Sequence, residues 1–226
     1  MLGNSMTVIA ELPITPQTET RERTMTDPHK LNAIYGSWFT SLIADRISGT
    51  GLSSPNAETP SVYFLTLTFQ NTGDSRRRRL AEGQRDGKSE MDAFHHLYNR
   101  VCRKLIGRNY HRAIHADRLP TAIPFLDAEG SKFWGSIGEM ANVHIHSLWV
   151  VQSDIASAFE AMSDPSDFET SSFLGELGFD GVDVQKIEAS DLHRISKVTG
   201  YASKLIGFNN AALELSEDFR VYPISS

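Results

Sequence analysis

The stretch Val143-His144-Ile145-His146-Ser147-Leu148-Trp149-Val150 constrains this chain more than any other. It is dense in β-branched and aromatic residues and therefore reads as a buried strand. Side chains alternate between the faces of a strand, so His144 and His146 point the same way, with Val143, Ile145 and Leu148 at positions between and beyond them. Two imidazoles about 7 Å apart along one face can converge on a single divalent cation. The alternative is a pair of histidines hydrogen-bonded at a sheet surface, and the short pattern alone leaves both open.

The remaining composition narrows the class. A chain of 226 residues with 40% hydrophobic and 22% charged residues is long enough to bury a real core as one large domain with tails. Cys102 stands alone, which rules out a disulfide framework and a cysteine-based zinc site, and makes a reducing, cytoplasmic setting the default. No basic stretch followed by an apolar run opens the sequence, so no signal peptide is expected. No apolar run approaches the ~20 residues that span a bilayer. The net charge of −6 argues against wholesale coating of nucleic acid and leaves such contacts to local basic patches.

In chain order, residues 1–26 hold Pro13, Pro16 and many Thr and Glu and read as a mobile tail. Asp27-Pro28 reads as an N-cap followed by a first-turn proline, and Leu31, Ile34, Tyr35, Phe39, Leu42 and Ile43 predict an amphipathic helix over 28–47. A Gly/Ser/Pro/Asn loop from Gly49 to Pro60 completes a 27–60 segment. Val62 to Phe69 is a second strand, with Phe64, Thr66 and Thr68 on one face. Arg76, Arg77, Arg78 and Arg79 follow in a polar loop; they are either a solvated charge run or a grip on a phosphate backbone.

Ser89 opens a second helix with the apolar stripe Met91, Phe94, Leu97, Tyr98, Val101, Leu105 and Ile106, and with Arg100, Arg103, Lys104 and Arg108 in its C-terminal half. His95 and His96 are ~100° apart on that helix and cannot easily share a metal, and Cys102 reads as core. Ala122 to Leu126, a turn at Glu129-Gly130 and Phe133-Trp134 read as a β-hairpin leading to the histidine strand. Glu139, five residues before His144, is the candidate third metal ligand; the alternative is an exposed loop acid. Ser153-Asp154 caps a helix to about Met162, Val182 to Ile187 is a last strand, and Ser190-Asp191 open a last helix over 192–206.

On that last helix Lys197 and Lys204 lie within about 20° of each other, with Tyr201 beside them. A tyrosine flanked by ammonium groups has a stabilised phenolate and a ready phosphate clamp; alternatively its ring only caps the core. Gly200 in mid-helix costs about 1 kcal/mol against Ala and either opens the backbone to a large substrate or packs against a neighbour.

A strand with Phe64-Leu65-Thr66-Leu67-Thr68, a strand with His144-x-His146 among apolar residues, and a helix with Tyr201-x-x-Lys204, in that order, resemble the HUH endonuclease superfamily. Within it the chain looks most like the single-tyrosine rolling-circle replication initiators (Rep proteins). The resemblance implies an α+β fold over 61–210, with an RRM-like central antiparallel sheet flanked by helices and the two motif strands side by side, followed by a 211–226 tail. It implies that His144 and His146, with Glu139 as candidate third ligand, bind Mg²⁺ or Mn²⁺. Tyr201 would attack a phosphate of single-stranded DNA at a replication origin, giving a 5′-phosphotyrosyl intermediate, and Lys204 would hold the phosphate or assist the tyrosine. Arg76 to Arg79, Arg103, Lys104 and Lys197 would contact DNA, by charge. No Gly-x-x-x-x-Gly-Lys-Ser/Thr occurs, so a separate helicase and polymerase would be partners. A transposase or relaxase with the same chemistry, and a non-catalytic DNA-binding protein on the same scaffold, are the other readings.

Overall fold

The sheet is built by strands β1 (Ser61–Phe69), β2 (Thr121–Glu129), β3 (Ala141–Val151) and β4 (Phe179–Ile187), all antiparallel, in the spatial order β2-β3-β1-β4. Among the described residues the α-helices of the fold are α1 (Pro28–Thr50), α2 (Lys88–Ile106), α3 (Ser153–Met162) and α4 (Leu192–Ala202). The computed structural model describes residues 28–50, 59–69, 88–129, 141–164, 174–206 and 219–223, and the structural statements below concern these. After α1 the order is β-α-β-β-α-β followed by α4, an α+β fold compatible with an RRM-like architecture. Among the described residues no helix is long and apolar enough to cross a membrane.

Period-two patterning divides the core in two. Tyr63, Leu65 and Leu67 of β1 and Ile145, Trp149 and Val151 of β3 face the stripe of α2 (Met91, Phe94, Leu97, Tyr98, Val101, Cys102) and Ile155 and Phe159 of α3. Val62 and Phe64 of β1, Ile123 and Phe125 of β2 and Leu148 and Val150 of β3 face the other way, onto Phe39 and Ile43 of α1 and Ile195 and Ala202 of α4. Leu148 therefore continues the histidine face of β3. Helices cover both faces, which is why β1 and β3 are apolar on both sides rather than alternating with water.

Several sequence expectations shift in detail. Ile34, placed in the apolar stripe of α1, is 61% exposed, and Trp38 packs in its stead. The N-cap of α3 is Gln152, without a side-chain capping bond, rather than the Ser153-Asp154 pair. β2 pairs with β3 from Thr121↔Val150 to Glu129↔Ala141, while Gly130 and Phe133-Trp134, read as the turn and second arm of a hairpin, lie outside the described residues. Within the stretch read as a C-terminal tail, residues 219–223 bridge to the outer edge of β2 at Phe125↔Phe219 and Ala122↔Tyr222. The Asp191 side chain accepts the Arg194 N–H and caps α4 as its sequence indicates.

Candidate metal centre and tyrosine

The ladder registers assemble the site. On β3, His144 lies opposite Asp127 of β2 on one side and Thr68 of β1 on the other; His146 lies between Phe125 and Thr66. All of these alternate onto the α1/α4 face. Bulges interrupt the ladders at Asp127/Glu129 and at Thr68/Phe69, at the same end of the sheet as the histidine pair, where such irregularities re-aim side chains.

Three donors converge. Asp127 Oδ2 lies 3.2 Å from His144 Nε2 and 3.1 Å from His146 Nε2, and the three ligand atoms lie within 4.8 Å of one another. Two imidazole nitrogens and one carboxylate, drawn from adjacent strands and aimed at one point, form a donor set that suits a divalent cation. Among the described residues this is the group of His, Cys, Asp and Glu side chains with that property. Asp127 is wholly buried, His146 nearly so, and His144 is one-fifth exposed, so the centre opens toward solvent on the His144 side.

The surroundings orient the ligands. Burial pushes the Asp127 carboxyl up, but hydrogen bonds with His144, His146 and Lys204 outweigh it and hold the group well below the ordinary carboxylate range. Burial pushes the His146 imidazole down, against the opposing pull of Asp127, which favours the neutral ring a metal requires. Its Nδ1 lies 3.1 Å from Thr66 Oγ1, and the Phe64 ring stacks on it at 5.3 Å between centroids. The second strand motif is thus the wall that fixes His146.

Tyr201 and Lys204 arrive from the end of α4. The Tyr201 ring lies 5.1 Å from the His146 ring, and Tyr201 is 44% exposed, within reach of a large substrate. Lys204 Nζ sits 4.2 Å from the Tyr201 ring centroid and 2.6 Å from Asp127 Oδ2. The wheel that put Lys197 and Lys204 together assumes a helix through 206. The α-helix ends at Ala202, and a 3-10 turn, Ser203–Leu205, swings Lys204 inward while Lys197 stays exposed on α4.

Gly200 meets its neighbour: a Cβ built on Gly36 of α1 would lie 3.4 Å from Gly200 Cα, so the two helices cross closely there. The Cβ position of Gly200 itself is open, beside a groove lined by Ser37, Thr40 and Ser196. Both readings of Gly200 have a basis in the geometry.

The other candidates separate. Arg103 and Lys104 are exposed at the end of α2, which packs on the sheet face opposite the histidines, so the fold does not bring them to the centre. Arg76, Arg77, Arg78 and Arg79, and Glu139, lie outside the described residues. The acid that stands between the two histidines is Asp127, which sequence reasoning missed. Its signal was present: Asp127 follows Ile123 and Phe125 at period two, an acid on a face otherwise destined for burial. Cys102 is core, and burial pushes its thiol up to about 12.

Compared with known protein families, with curated proteins and with solved structures, the chain matches none.

Proposed function

We propose that this protein nicks and rejoins single-stranded DNA through a tyrosine nucleophile beside a divalent-metal centre, as its resemblance to HUH endonucleases of the Rep type implies. One observation carries the reading: Asp127, His144 and His146 converge on a point next to the half-exposed Tyr201 and its companion Lys204. A divalent ion such as Mg²⁺ or Mn²⁺, held by these three ligands, would supply Lewis-acid polarisation of a phosphate oxygen. The chain's own groups do the rest. The Tyr201 oxygen attacks phosphorus, forming an O–P bond as the P–O3′ bond breaks, and the phenol proton passes to the departing 3′ oxygen. The products are a 5′-phosphotyrosyl enzyme and a free 3′-OH. Attack by a 3′-OH reverses the step without an external energy source. Lys204 supplies positive charge where the phosphoryl oxygens gather it. The role follows from the resemblance: initiation of rolling-circle replication at an origin, with helicase and polymerase as separate partners and DNA contacts from Arg76 to Arg79 and Lys197.

The test is a covalent adduct. Protein incubated with a panel of single-stranded oligonucleotides and Mn²⁺ is run on a denaturing gel beside Tyr201→Phe and the double variant His144→Ala/His146→Ala. An adduct in the wild type, lost in both variants, is the expected result. An adduct that survives Tyr201→Phe removes the proposed nucleophile. No adduct alongside measurable DNA binding favours a non-catalytic binder.

A further inference from the structure

Lys204 is more than a neighbour of Tyr201, because its ammonium lies closer to a candidate metal ligand, Asp127, than to the tyrosine ring. Asp127 Oδ2 takes three groups at once: Lys204 Nζ at 2.6 Å, His146 Nε2 at 3.1 Å and His144 Nε2 at 3.2 Å. The carboxylate has no exposed surface and Lys204 is 17% exposed, so this is a charge-assisted bond sheltered from water rather than a surface ion pair. An ion bound by both imidazoles and Asp127 would approach that same oxygen, within a few ångströms of the ammonium, where like charges repel strongly and are weakly screened. The two cations cannot share the oxygen on favourable terms.

We propose that Lys204 is a built-in competitor for the cation site: divalent-ion binding displaces its ammonium from Asp127 and releases it toward Tyr201 and the phosphate. The inference rests on the nickase reading and deepens it, since it makes ion loading the event that frees the lysine. The geometry gives the lysine somewhere to go. Its Nζ already lies over the Tyr201 ring, 4.2 Å from the centroid, so a change of side-chain torsions, not of backbone, carries it from carboxylate to tyrosine. The 3-10 turn at Ser203–Leu205 is what allows this double reach, because a continued helix would place Lys204 beside Lys197. Competition lowers the affinity for the ion and couples ion occupancy to the position of a catalytic charge.

Two measurements test it. In the first, Mn²⁺ binding is followed calorimetrically for the wild type and Lys204→Met, which keeps an apolar stem over Tyr201 without the charge. The variant should bind at least tenfold more tightly. In the second, which needs no variant, the wild type is acetylated at its amines with and without Mg²⁺, and Lys204 is quantified by mass spectrometry. Labelling of Lys204 should rise several-fold with Mg²⁺ while labelling of the exposed Lys197 stays constant. Equal or weaker Mn²⁺ binding by Lys204→Met, or labelling of Lys204 that Mg²⁺ leaves unchanged or lowers, overturns the competition and leaves the nickase reading standing. Failure of both proteins to bind Mn²⁺ overturns the competition and the metal centre together.

Discussion

His146 has two ring nitrogens, and the structure gives each a partner: Asp127 Oδ2 at 3.1 Å from Nε2 and Thr66 Oγ1 at 3.1 Å from Nδ1. A nitrogen that binds a cation must offer a lone pair, so with Nε2 as ligand the proton belongs on Nδ1, where the Thr66 oxygen can accept it. Thr66 thereby satisfies that N–H and holds the ring orientation. Thr66→Val keeps the β-branched shape and the strand but removes that acceptor, leaving a buried N–H unpaired. Mn²⁺ affinity should fall by about 10- to 100-fold, as for other partners that orient a metal's ligands. A calorimetric titration of the variant checks this, and an unchanged affinity would show that the stacked Phe64 ring alone fixes the imidazole. Thr68, exposed and bonded to the Asp180 carboxylate, provides the internal control on the same face of the same strand.

At the scale of elements, α4 carries a glycine where a helix disfavours one. The Cβ position of Gly200 has nothing within 4 Å, so Gly200→Ala fits without a clash and should stabilise the protein by about 1 kcal/mol through helix propensity. Chemical denaturation measures that gain. If the groove beside Gly200 admits the substrate backbone, the same variant loses nicking activity while it gains stability. A loss of stability instead would mean that the α1–α4 crossing, already close at Gly36, cannot take the extra atom. Several elements were legible in the sequence from local signals: α2 from its 3.6-residue period, β1 and β3 from their density of β-branched and aromatic residues. The pairing between them was not. Which residue of β2 faces His144 depends on the ladder register, which no local pattern encodes: period two marks Asp127 for the buried face, but not as the partner of His144. The inward turn of Lys204 was hidden for a related reason: a helical wheel assumes the helix continues, and α4 gives way to a 3-10 turn after Ala202.

Across the whole molecule, the edge of the sheet decides how firmly the centre is held. Asp127 sits on β2, an outer strand, and an outer strand has one ladder fewer to hold it. Residues 219–223 supply what is missing. Ala122 and Tyr222 exchange backbone hydrogen bonds at 2.8 and 3.2 Å, and the flanking side chains straddle the edge. Tyr222, 1% exposed, enters the α2 core at 4.5 Å from the Tyr98 ring, while Phe219 meets Phe39 on the histidine face at 4.8 Å. Arg220 between them binds Asp92 of α2 at 2.9 Å. One short segment therefore clips β2 to both cores. Tyr222→Ala should cost about 3–5 kcal/mol in unfolding free energy, in line with other buried aromatics cut to alanine. It should also weaken Mn²⁺ binding, because loosening β2 frees Asp127 from its register with His144. Phe159→Ala is the comparison: it removes an equally buried ring of the same α2-side core, packed on Tyr63 and Trp149, and leaves the edge of β2 clipped. Denaturation and Mn²⁺ titration of the two variants separate general destabilisation from loss of the clip. Similar losses of stability with metal affinity reduced only in Tyr222→Ala is the expected pattern; equal loss of affinity in both would mean that the centre answers to the stability of the whole core and not to the edge that carries its acid.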